Sequence, residues 1–96
     1  MPLFSIVCAD KPGVLDQRLA HRPEHIAYLK TQTDILRLAG PRLDEQGEMC
    51  GSMFVVETAD RAGAQAFSAG DPFVRHGVFG QVEIHGFPAT MGSWLP

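Results

Sequence analysis

Apolar residues fall along the chain in short blocks whose internal spacing switches between two and three-to-four. Residues 3–9 alternate Phe4, Ile6 and Cys8 against Leu3, Val7 and Ala9. They are apolar on both sides, which predicts a strand covered on both faces. Asp10-Lys11-Pro12-Gly13 carries turn chemistry, and 16–22 reads as a short irregular or helical approach. Pro23 suits a first helical position, and Ile26, Leu29, Thr33 and Leu36 recur at spacings of three and four, so a helix is predicted over 23–38. Ala39-Gly40-Pro41 bounds the next piece. Residues 36–43 turn into a short strand, and the polar run 44–48 leads to a second strand over 50–57, a hairpin. Thr58-Ala59-Asp60 offers a cap for an Ala-rich helix over 61–68 that turns Ala62, Ala66 and Phe67 to a sheet and stops at Gly70. After Asp71-Pro72-Phe73-Val74 and a turn at Gly77, Val82 and Ile84 mark a last strand ending near Phe87-Pro88. Residues 88–96 are expected to form a tail carrying Trp94 and Leu95.

The order strand, helix, strand, strand, helix, strand is that of an α+β, ferredoxin-like βαββαβ sandwich: an antiparallel four-stranded sheet with both helices on one face. Such a layout leaves Leu3, Val7, Met53 and Val55 opposite Phe4, Ile6, Phe54 and Val56. One of these sets then faces water unless a second copy covers it, so a homodimer is expected, with the tail lying across the partner.

The length of 96 residues is that of one domain, with no repeats or linkers. A chain this short buries only about 60–65% of its unfolded surface, a second reason to expect an oligomer. Eight Lys and Arg against eleven Asp and Glu give a net charge of -3, with no basic run, so nucleic acid is not an expected partner. Six of the eight cations are Arg, whose fork suits carboxylate or phenolate groups. Cys8 and Cys50 sit in apolar runs rather than at disulfide or zinc spacings and read as reduced. No signal-peptide pattern or run of roughly 20 apolar residues occurs; a cytoplasmic setting, away from membranes, is expected.

Few side chains remain as candidates for chemistry. His25 lies one turn before Leu29, at the edge of the predicted buried stripe, and histidine ordinarily titrates near neutral pH, as proton transfer requires. A hydrogen-bonded structural histidine is the plainer alternative. Asp71, between Gly70 and Pro72, suits the cap of the turn that follows; near His25 it would instead orient the imidazole. Arg18 and Arg22 precede His25 by seven and three residues and would meet an anion at the same helix end, unless paired with Asp10, Asp16 or Glu24. Ser52, after Gly51, is a polar group for a pocket wall or an ordinary strand serine. His21 and His25 have the i, i+4 spacing of some metal ligands, but Pro23 argues against one helix through both and no third ligand is evident, so no metal is expected. His76 and His85 read as surface or strand-edge residues, and no phosphate loop or dinucleotide fingerprint occurs.

The stretch Arg18-Leu19-Ala20-His21-Arg22-Pro23-Glu24-His25-Ile26-Ala27-Tyr28-Leu29, then Ala39-Gly40-Pro41, Gly51-Ser52, Asp71-Pro72-Phe73-Val74 and Gly77-Val78-Phe79, together resemble the YciI-like (YCII-related) proteins over about 3–87. The resemblance implies a ferredoxin-like fold paired into a dimeric α+β barrel and a His-Asp pair in a cleft beside the sheet, here His25 and Asp71. Relatives include an enzyme that removes chloride from chlorinated hydroxyhydroquinones, and the wider barrel fold includes muconolactone isomerases. What it implies is a cofactor-independent acid-base enzyme for elimination or isomerisation of a small anionic or phenolic substrate, held by Arg18, Arg22 and Ser52. The alternative is a non-catalytic module that binds a small acidic metabolite.

Overall fold

The computed structural model describes residues 1–96. The elements are β1 (Leu3–Asp10), α1 (Leu15–Lys30), β2 (Leu36–Leu43), β3 (Met49–Glu57), α2 (Arg61–Gly70), α3 (Pro72–Arg75) and β4 (Phe79–Gly86). The strands form one antiparallel sheet in the order β2-β3-β1-β4, so the chain has the ferredoxin-like α+β arrangement. β1 lies in the middle because its apolar residues can be covered on both faces, with Ile6 paired to Phe54 on one side and Ile84 on the other. Pro41, which has no N–H to donate, sits on the edge strand β2 opposite Ser52.

The core lies between one sheet face and the helices. Phe4, Ile6, Cys8, Phe54 and Val56 meet Ala64 and Phe67 of α2, Phe73 of α3, and Val78 and Phe79. The opposite face carries Leu3, Val7 and Met53 partly or largely open to water, whereas Val55 is already buried within the single chain. In α2 the sheet-facing set is Ala64, Phe67 and Ser68; Ala62 and Ala66 are exposed. The Asp60 carboxylate fixes the start of α2 by accepting from the Gly63 N–H at 3.0 Å, and this cap sets which face turns inward.

The long helix departs most from the pattern reading. It begins eight residues before Pro23 and ends at Lys30 rather than near 38, so Pro23 lies inside it. Proline removes the N–H that would reach the Leu19 carbonyl, but Leu19 is half exposed and water can serve that oxygen. At the other end Thr31 closes the helix: its hydroxyl donates to the Tyr28 carbonyl at 2.6 Å, and the polar turn after it delivers Ile35 and Leu36 to the sheet. The three-and-four spacing of Thr33 and Leu36 therefore belongs to a turn and a strand start.

Candidate functional site

Two residues seven apart on a helix lie on nearly the same side, two turns from each other. On α1 the fully buried residues with that spacing are Arg18 and His25, both polar. Each must find partners where it lies. Arg18 is 2% exposed. Its Nε donates to Asp10 Oδ2 at 2.7 Å, and its Nη2 donates to Ser52 Oγ at 2.7 Å and to the Gly51 carbonyl. Gly51 is required there because β1 and β3 come so close that a Cβ would run into the Cys8 carbonyl. Nη1 of Arg18 has no protein acceptor. A planar guanidinium thus ties the end of β1 to the middle of β3 and keeps one edge free.

His25 is held on two sides. Its Nδ1 lies 2.8 Å from Asp71 Oδ1, and its ring stacks on Phe73 with centroids 4.0 Å apart and 16° between planes. Asp71 sits immediately before α3 and its Oδ1 also accepts from the Phe73 N–H at 2.9 Å. The capping and orienting roles are therefore both filled by one carboxylate. A carboxylate accepts, so Nδ1 is the donor of this pair and Nε2 is the nitrogen it leaves over. Nε2 makes no hydrogen bond within the chain and is not sealed off from solvent, unlike Asp71 Oδ2, which is buried without a partner.

Arg18, Arg22, His25, Leu29, Pro41 and Ser52 border a hollow of about 150 Å³ between α1 and the β2–β3 edge. Larger, shallower depressions occur beside Asp10 and Asp44 and beside Leu19 and Lys30, but neither is bordered by His25 or Asp71. Arg22 is exposed and makes no ion pair, which leaves its charge at the mouth of the hollow. Arg18, by contrast, is committed to Asp10 and reaches the hollow only with its free edge. Cys8 lies beneath this floor with its thiol pushed up to about 12, first by burial and then by the charges of Asp71 and Asp10. It stays a neutral thiol and is no nucleophile. Both cysteines are free.

The structure thus places Arg18, Arg22, His25 and Ser52 around one hollow and sets Asp71 against His25, a pairing that spacing alone leaves open and the family resemblance implies. Asp10 and Phe73 complete the arrangement. Asp10 shows in the sequence only as one possible partner of an arginine, and Phe73 only as part of the Asp71-Pro72-Phe73-Val74 stretch. The expected geometry of His21 and His25 differs. One helix does run through both, yet His21 turns away from His25 toward Glu24 and His76, with Nδ1 3.4 Å from Glu24 Oε1. A third neighbour for His21 was hidden in the sequence because His76 lies on the far side of α2 in the chain.

A four-stranded ferredoxin-like sheet with a buried His-Asp pair and a cationic hollow at its edge defines a small α+β domain built around one cleft. Residues 2–88 match the YCII-related domain, and the chain belongs to that family. It is 34% identical over 93 residues to Protein YciI of Escherichia coli O6:H1, covering 88% of this chain and 95% of that protein. An uncharacterized protein of Haemophilus influenzae is 32% identical over 92 residues, covering 88% and 94%. Among solved structures, the chain is similar to 5-chloro-2-hydroxyhydroquinone dehydrochlorinase (TftG) of Burkholderia phenoliruptrix in complex with 2,5-dihydroxybenzoquinone. The TM-score there is 0.83, with 27% identity, over 92% of this chain and 95% of that one. An antibiotic biosynthesis monooxygenase shares the fold at a TM-score of 0.57 and 18% identity, over 95% and 100%.

Proposed function

We propose that this chain is an acid-base enzyme working with side chains alone, in which His25 moves a proton on a small anionic or phenolic substrate. The observation that carries this reading is the division of labour within one imidazole. Nδ1 is taken by Asp71, which leaves Nε2 for a substrate in the hollow. Nε2 accepts a proton from an acidic C–H or O–H of the substrate, and Asp71 stabilises the resulting imidazolium. In an elimination the pair from the broken C–H bond becomes a new double bond and the leaving group departs with its own bonding pair. In an isomerisation His25 returns the same proton to another atom. Arg22 and the free edge of Arg18 neutralise the negative charge that builds on the substrate, and Ser52 borders the same wall.

The size of the hollow suits a single ring or a short acid, and the quinone in complex with the dehydrochlorinase neighbour supports a flat oxygenated ring as the substrate class. The protein is proposed to act as a homodimer in the cytoplasm. The test is a thermal-shift screen of hydroxylated aromatic and small carboxylic acids, followed by assays of chloride release and of isomer formation on the compounds that stabilise the fold. His25→Ala is expected to bind such a compound and lose turnover by about 10²-fold or more. A folded His25→Ala protein with the parent rate would refute the assignment. No stabilising compound together with no turnover by the parent would remove the enzymatic reading.

A further inference from the structure

Three polar side chains on the outer side of the α1–α3 contact have no place in this chemistry. His21 and His76 stack face to face, with ring centroids 3.9 Å apart and 8° between planes. Glu24 lies against both: His21 Nδ1 is 3.4 Å from Oε1 and His76 Nε2 is 3.2 Å from Oε2. One ligand atom from each of the three falls within 4.8 Å of the others. His21 is half-buried and the other two are exposed, so the group is reachable from solvent.

We infer that His21, Glu24 and His76 form a binding site for a divalent transition metal ion, with Zn²⁺ as the natural occupant. Two imidazoles and a carboxylate suit Zn²⁺, Ni²⁺, Co²⁺ or Cu²⁺ and not Mg²⁺ or Ca²⁺, which prefer all-oxygen sites. Ligand atoms bound at about 2.0–2.2 Å from one zinc ion stand roughly 3.3–3.5 Å apart. The three side chains are on the surface or half-buried, so their ligand atoms, now within 4.8 Å of one another, can close to that spacing by rotation. Imidazole lone pairs lie in the ring plane, so one of the two stacked rings turns out of the stack for both to meet the same ion.

Three protein ligands leave a fourth position for water. The ion would also join two elements that come from distant parts of the chain. His21 is one turn before His25 on α1, and His76 directly follows α3, whose cap is Asp71. Metal at this site clamps together the two pieces that hold the His25–Asp71 pair, without touching either residue. The inference stands on the His-Glu-His geometry and is independent of what the hollow binds.

The test uses untagged, chelator-stripped protein titrated with ZnCl₂ by calorimetry, with Co²⁺ absorption reading the ligand set. One ion per chain is expected, with a higher thermal midpoint and a Co²⁺ spectrum of low coordination number. His76→Ala and Glu24→Gln, both at exposed positions, should each weaken binding at least about tenfold, since even losing an outer partner of a ligand costs that much. His85→Ala removes the one histidine outside both sites and should leave binding intact. Equal Zn²⁺ affinity in the parent and His76→Ala, or equal stabilisation by Mg²⁺ and Zn²⁺, would overturn the site.

Discussion

The imidazole of His25 lies parallel to the ring of Phe73, and one carboxylate oxygen, Asp71 Oδ1, meets the ring of the first and the backbone N–H of the second. The edge of the imidazole is thus fixed by a hydrogen bond and its face by a stacked ring, the first from the cap of α3 and the second from α3 itself. Arg18 adds a third contact, its guanidinium carbon lying 4.6 Å from the centroid of Phe73. Aromatic contacts of this kind contribute about 0.5–1.5 kcal/mol beyond the area they bury. A rigid imidazole with one committed nitrogen is what a positioned base requires, since proton transfer is sensitive to small displacements.

The double duty of Asp71 separates two substitutions. Asp71→Asn keeps an oxygen for the Phe73 N–H and for His25, but puts an amide where the unpartnered Oδ2 now lies. The expected cost is about 1–3 kcal/mol for the buried unpaired amide, with turnover reduced by about 10²-fold or more because the imidazolium has lost its counter-charge. Asp71→Ala buries no amide but takes the acceptor from both the Phe73 N–H and His25 Nδ1, leaving two buried donors unpaired, and should cost about 1 kcal/mol more than Asp71→Asn. Urea titration of both variants, with turnover measured below the unfolding transition, tests the order. Equal stability of the two would show that the cap contributes nothing.

The two arginines of the hollow should behave oppositely. Arg18 and Asp10 are both nearly sealed from solvent, at 2% and 6% side-chain exposure. Arg18→Met therefore strands a buried carboxylate and is expected to cost about 3–5 kcal/mol, most of it recovered when Asp10→Asn is added. Arg22 makes no ion pair and is exposed, so Arg22→Ala should alter stability by less than about 0.5 kcal/mol while raising the KM for an acidic substrate. Chemical denaturation of the single and double variants, with saturation kinetics of Arg22→Ala, measures both. A large stability loss in Arg22→Ala would contradict the division.

These arginines also show how far the residues alone could lead. The strands are legible because β1 and β3 are dominated by apolar residues, and the resemblance around Arg18 and His25 points to residues that the fold gathers at one hollow. The start of α1 was not legible from periodicity, because its first two turns bury a guanidinium where the pattern looks for an apolar side chain. Its inward row reads Arg18 and His25, with Leu29 only partly buried. The end was missed for the converse reason: Leu36 supplies apolar surface at helical spacing from within a strand. The partnership of Arg18 with Asp10 depends on β1 turning back at Gly13, whose φ of 71° is open to glycine, and spacing does not encode it.

Alkaline pH should unfold the protein earlier than its carboxylates and arginines would suggest. The Cys8 thiol is raised from 9.0 to about 12, chiefly by burial. Below pH 9 both folded and unfolded chains keep this proton, and the group has no effect. Between there and about 12 the unfolded chain gives up the proton while the folded chain retains it, so stability falls by up to about 1.4 kcal/mol per pH unit. Tyr28, also raised by burial and by Asp71, adds a smaller loss in the same direction above its ordinary range. Urea midpoints measured at about pH 8 and about pH 10.5 should drop steeply in the parent and less in Cys8→Ala, with Tyr28 supplying the remainder. An identical slope in Cys8→Ala would assign the loss elsewhere.

The open sheet face yields the last prediction. Met53 is 40% exposed and Leu38 is 36% exposed, on neighbouring strands, with Val7 beside Met53 across the β1–β3 pairing. Beyond β1 the same face turns polar, since Gln81, Glu83 and His85 alternate with the inward Val82 and Ile84 on β4. An apolar half beside a polar half, on a sheet with no helices over it, is what a second copy would cover with its own apolar half. Trp94, 86% exposed in the tail, has nothing to pack against within its own chain. The parent is expected to sediment as a dimer, and Met53→Glu to sediment as a monomer, because each copy would then bury an unpaired carboxylate within the apolar half. His85→Ala, on the polar half, should leave the dimer unchanged. A parent protein that sediments as a monomer at about 100 μM, a concentration at which even micromolar association is saturated, would rule out a sheet-to-sheet dimer.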